Sequence, residues 1–298
     1  MKKFISVIMC VILTVCLFSG CSEKTENNEN SELLEYTIDS HYTAAGESII
    51  RAYKKVCEAV EKGETEVKFN YSMTDGVNQL FYTCYPLNIL VSDIKRLDDN
   101  SGVQIKYVND IDTHKELVSS FKDKLNSLKN ECGFGEVGTN QYIFNVYSYI
   151  SKNVTIDSSV TNTFDTIMNL KGVEASVNSM FEYLVLQGGG NACHAVNFSG
   201  ASTMISTAKF NGEWYYFDPA SEARENKGEA LTRFAMNDDT VKKFYSSNEF
   251  TYTDQTDLLP VSDDKYTVLA DSLSYKIDKS EVNVVLSNSD KVFMINFV

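Results

Sequence analysis

Two carboxylates and one sulfur-imidazole pair are the residues of this chain best suited to chemistry: Glu174, Asp218 and the adjacent Cys193-His194. A cysteine beside a histidine suggests a thiolate and its base. Successive strand residues point to opposite faces, however, so these two cannot form a dyad with each other. Cys193 would need His41 or His114, both of which precede it in the chain. Glu174 with Asp218 could instead form a carboxylate pair for glycoside or acid-base chemistry. Gly188-Gly189-Gly190 is no phosphate cradle, because it follows a helical stretch, precedes a strand and lacks a following lysine; it reads as a helix stop. No C-x-x-C or His-rich spacing is present, so neither a metal nor another cofactor is expected.

The elements that must position these groups run from Thr163 to Ser221. Phe164 to Leu170 reads as a helix and Lys171-Gly172-Val173 as a pause. A second helix begins near Glu174, with Val173, Val177, Phe181 and Leu184 on one face. Strands are expected over 191–199 and 201–210, and Gly212-Glu213-Trp214-Tyr215-Tyr216-Phe217-Asp218-Pro219 closes the unit. This order resembles the core of the transglutaminase-like superfamily, which shares its fold with papain-like cysteine peptidases. The resemblance implies an α+β fold, with helices on an antiparallel sheet, an N-terminal elaboration and a C-terminal β hairpin or small sheet. It also implies a nucleophilic cysteine at the helix start, a histidine on the next-but-one strand, and an aspartate in the Trp-Tyr-x-x-Asp-Pro segment. Those positions read Glu174, Thr203 and Asp218 here.

A carboxylate at a helix N-terminus suits the positive end of the helix but is a poor nucleophile towards amides. Threonine is no general base near neutrality. The resemblance therefore implies the fold with its usual catalysis lost, and a groove with Cys193, His194 and Trp214 as candidate lining residues. A peptide, a protein or a cell-wall ligand is the expected partner. The alternative is an enzyme of altered chemistry in the same groove, related to peptidases and transglutaminases or acting through carboxylates.

The first twenty residues read as a targeting segment: Lys2 and Lys3, then an uncharged apolar run from Phe4 to Phe18. Phe18-Ser19-Gly20-Cys21 resembles a bacterial lipobox, which implies cleavage before Cys21 and a lipid on its thiol. The chain is thus expected at the outer face of a cell membrane, held by that lipid. Residues 21–35 would be a flexible tether, 36–250 the main domain and 251–298 a β extension. Losing Lys2 and Lys3 takes the formal net charge from -14 to -16, and such an acidic surface repels nucleic acid. Cys57, Cys84, Cys132 and Cys193 remain, and their spacing leaves both disulfides and free thiols open.

Elsewhere, periodicity predicts helices over Ser48–Val60, His114–Leu128 and Gln141–Ser151, and strands over Glu64–Tyr71 and Val103–Val108. Thr74-Asp75-Gly76 is expected to turn, and Asn288-Ser289-Asp290 to join the two C-terminal strands.

Overall fold

A computed structural model describes residues 46–197, 203–225, 227, 231–245, 250–251, 267–268, 284–288 and 291–295. The expected signal segment, Cys21 and the tether lie outside the described residues.

Helix α1 (Glu47–Lys62) buries Tyr53, Val56, Cys57 and Val60, the i, i+3, i+4, i+7 stripe of an amphipathic helix. It ends at Gly63, whose φ of 72° lies where a glycine is favoured. Strand β1 is only Glu66–Lys68, shorter than its alternating sequence predicts. The expected turn at Thr74-Asp75-Gly76 is instead the first turn of α2 (Thr74–Cys84). Val77, Leu80 and Phe81 explain the difference: their buried stripe outweighs the local turn preference of Asp75 and Gly76. Pro86 then opens a 3-10 turn, and β2 (Val91–Arg96) and β3 (Gly102–Tyr107) follow. These strands form an antiparallel sheet in the order β1-β3-β2.

Helix α3 (Ile111–Glu131) starts earlier than its apolar spacing suggests, because the Asp110 carboxylate accepts the Thr113 N–H at 3.0 Å. Helix α4 (Thr139–Asn153) follows. Strand β4 (Thr155–Ile156) pairs in parallel with β5 (Lys171–Gly172), with α5 (Thr163–Asn169) between them. The expected pause at Lys171-Gly172-Val173 is therefore partly a strand, ordered by that pairing.

Helix α6 (Glu174–Gln187) leads to β6 (Ala192–Asn197), β7 (Thr203–Phe210) and β8 (Glu213–Phe217). Two short helices, α7 (Pro219–Glu225) and α8 (Asp238–Phe244), precede β9 (Phe250–Thr251). A four-stranded sheet runs β8-β7-β6-β9, antiparallel throughout. Strands β10 (Thr267–Val268), β11 (Val284–Asn288) and β12 (Lys291–Ile295) form a separate three-stranded sheet, in which Asn288 pairs with Lys291 to close a hairpin. The fold is α+β.

Helix α6 is the centre of the packing. One side meets β8 through Phe181 and Phe217, with ring centroids 5.3 Å apart. The helix also meets α4, where the Tyr142 hydroxyl donates to the Leu184 carbonyl at 3.1 Å. Phe210, Phe217, Phe234 and Tyr147 extend this aromatic core edge to face. Such packing fixes where α6 begins, and hence where Glu174 stands.

Candidate functional site

Gly172 is fixed by contact rather than by backbone angle. A Cβ there would collide with the hydroxyls of Thr166 and Ser176, which hydrogen-bond to each other at 2.9 Å. Those hydroxyls tie the middle of α5 to the first turn of α6. Helix α6 then starts at Glu174, with Val173 in extended conformation before it.

Asp218 follows β8 and is 2% exposed. Its Oδ1 accepts the Ser221 N–H at 3.0 Å and the Asn178 amide at 3.2 Å, and its Oδ2 accepts the Tyr245 hydroxyl. The Asn178 amide also donates to the Met204 carbonyl at 2.8 Å. One asparagine thus joins the second turn of α6, the start of β7 and the end of β8. Burial, and then the adjacent Asp218 charge, push the Tyr245 hydroxyl far above its ordinary value. Tyr245 therefore stays protonated and donates.

Glu174 stands one turn before Asn178 and is ion-paired to Arg224 of α7, with both side chains partly exposed. Arg224 also reaches Glu225 at 3.0 Å, and Glu225 reaches Arg233 at 2.7 Å. Arg233 lies over the Phe244 ring, 4.5 Å from its centroid. Helix α7 is itself anchored by buried Glu222, which accepts the Tyr147 hydroxyl at 3.0 Å and the Arg233 N–H at 2.9 Å. Burial, and then Glu222, hold the Tyr147 hydroxyl protonated.

The other candidates divide. Thr203 opens β7 with its backbone paired to Asn197, and His194 pairs in register with Ser206. Both of their side chains lie outside the described residues. Cys193 is fully buried with Ile205, Tyr216, Met236 and Val241, and its Sγ lies 3.0 Å from the Thr207 hydroxyl. Ser206, the next residue along β7, points the other way, donating to Glu182 of α6 at 2.9 Å. Cys193 thus sits on the sheet face away from α6. Trp214 is half-buried against the same cluster. None of the four described cysteines is joined in a disulfide.

Sequence reasoning missed Asn178, Arg224 and Tyr245. A buried amide inside the apolar α6 could have signalled the first, since buried polar groups need partners. Tyr245 meets Asp218 across 27 residues and carries no local signal. Among the described residues no group of three His, Cys, Asp or Glu could hold a metal, and no helix is long and apolar enough to cross a membrane.

No protein-family model matches the chain, and comparison with curated proteins finds no match. Among solved structures the chain is similar to a candidate cysteine protease from Cytophaga hutchinsonii: 21% identity, 33% of this chain, 37% of that one, TM-score 0.28. A structure described as a TGase gives 12% identity, 53% of this chain, 49% of that one and a TM-score of 0.29. The chain thus spans less than half the length of either protein.

Proposed function

We propose that this chain is a protein held by a lipid at the outer face of a cell membrane, whose transglutaminase-like domain holds a peptide ligand without breaking or crosslinking it. The reading rests on the Lys-Gly-Val-Glu helix start, the Trp-Tyr-Tyr-Phe-Asp-Pro strand and the antiparallel strands between them. The lipid anchor rests on the apolar N-terminal run that ends at Cys21.

One observation supports the reading that catalysis is lost: the carboxylate of Asp218 is engaged by Asn178, Ser221 and Tyr245. In a cysteine-based triad that carboxylate would orient an imidazole. Here a tyrosine that stays protonated is bound to it. At the head of α6, Glu174 offers a carboxylate already paired to Arg224 in place of a thiolate. What remains at the surface is a short row of paired charges, Glu174, Arg224 and Glu225, with buried Arg233 behind Glu225, suited to gripping an extended polar chain.

The test sets binding against turnover. The full chain is incubated with a glutaminyl peptide plus a primary amine, and separately with a sugar-free cell-wall stem peptide. Saturable binding of the stem peptide, with no ammonia released from the glutaminyl peptide, supports the reading. Ammonia release that Cys193→Ala or Glu174→Gln abolishes would replace it with an enzyme of altered chemistry.

A further inference from the structure

A cavity of about 440 Å³ lies on the side of α6 that carries Ser179, Glu182, Tyr183 and Leu186. The C-terminal end of α2, the 3-10 turn after it, the start of α5 and Met204 of β7 complete its walls. Its volume falls within the range of small-ligand sites, about 300–1,000 Å³.

The lining chemistry is selective. Among the described residues that line it, Glu182 is the single charged one, and none is a lysine, arginine or histidine. Phosphate, sulfate and carboxylate ligands have no counter-charge there. Much of the remaining lining is hydroxyl and amide, including Ser179, Thr161 and Asn88, groups that both donate and accept. A cationic ligand offers only donors, whereas a ligand hydroxyl matches groups of both kinds. Aromatic rings supply the apolar part. Tyr183 lies inside at 5% exposure, and Tyr82 lies at the mouth at 49%. The backbone under Tyr82 is held by the Asn88 amide, which donates to its carbonyl at 3.0 Å.

We propose that this cavity is a binding site for a neutral saccharide, with a sugar ring stacked on Tyr82 and its hydroxyls bonded to the Ser179, Thr161 and Asn88 side of the lining. The proposal does not depend on the groove at Glu174 and Asp218, and either can fail alone.

The full chain is titrated with N,N'-diacetylchitobiose and with maltotriose, followed by saturation-transfer NMR and calorimetry. Glucuronate and the methyl ester of Nα-acetyl-lysine serve as anionic and cationic comparators. A neutral sugar binds and the comparators do not. Tyr82→Ala weakens that binding at least about tenfold, a change of about 1.4 kcal/mol. Tyr82→Phe, which keeps the ring, stays within about twofold, well under the 1.4 kcal/mol of a tenfold change. Thr161→Trp, a bulky side chain at an exposed position of the lining, abolishes binding. Far-UV circular dichroism of each variant must match the parent. The proposal is overturned if neither sugar binds, if the lysine ester or glucuronate binds more tightly, or if Tyr82→Ala leaves the affinity unchanged.

Discussion

The Tyr245 hydroxyl shows how a single buried donor can occupy a carboxylate. It donates to a carboxylate that is 2% exposed, and it stays protonated because burial and Asp218 both oppose its ionisation. Removing the hydroxyl with Tyr245→Phe leaves a buried acceptor short of a donor, a loss of about 1–3 kcal/mol. The expected result is a lower urea midpoint with an unchanged m-value. An unchanged midpoint would mean that Tyr245 does not hold Asp218 in solution. The buried cysteines follow the same logic of desolvation. Burial holds the Cys57 thiol well above its ordinary value and pushes Cys132 up to about 12. Of the four described cysteines, Cys84, half-buried and lining the cavity, is then the thiol that an aromatic disulfide reagent modifies first at pH 8. Peptide mapping of the modified native chain checks this, and prior labelling of Cys57 or Cys193 would contradict the burial that the structure gives them.

At the scale of elements, the helix start at Glu174 was legible because its apolar stripe and the glycine before it are local signals. The reason for that glycine was not legible. It lies in hydroxyls from two helices, Thr166 and Ser176, which come together only in the fold. Gly172→Ala forces a methyl group against that pair, so either the hydroxyls part or α6 shifts; such overpacking costs about 1–3 kcal/mol. Thermal unfolding would show the loss, and Gly172→Ala with Ser176→Ala together should recover part of it. A double variant no more stable than the single one would place the strain elsewhere. The same distinction explains the misread turn at Thr74-Asp75-Gly76. Its residue types favour a turn locally, but burial of Val77, Leu80 and Phe81 draws the segment into α2. It also explains why the cavity could not be read in advance, since its walls come from α2, α5, α6 and β7, brought together by packing alone. Periodicity reports each element's buried face; it does not report which polar side chains end up across from one another.

For the whole molecule the governing quantity is charge. With 41 acidic and 27 basic residues the chain carries a formal net charge of -14, and the ion pairs among its described residues are mostly exposed, such as Arg51–Glu47 and Lys95–Asp93. Exposed pairs contribute little, so self-repulsion among the excess carboxylates opposes the compact state at neutral pH. The Debye length falls from about 30 Å at 0.01 M salt to about 10 Å at 0.1 M, which screens repulsion between distant carboxylates while sparing buried contacts. Salt should therefore stabilise this chain at pH 7. A gain of about 1 kcal/mol would raise the Tm by about 2–4 °C for a domain of this size. Near pH 5, close to the sequence pI of 4.7, protonation has already removed much of the repulsion, so the same salt step should move the Tm little. Calorimetric scans at two salt concentrations and two pH values decide the point. A salt step that lowers the Tm at pH 7, or shifts it equally at both pH values, would show that local ion pairs outweigh the net charge in setting stability.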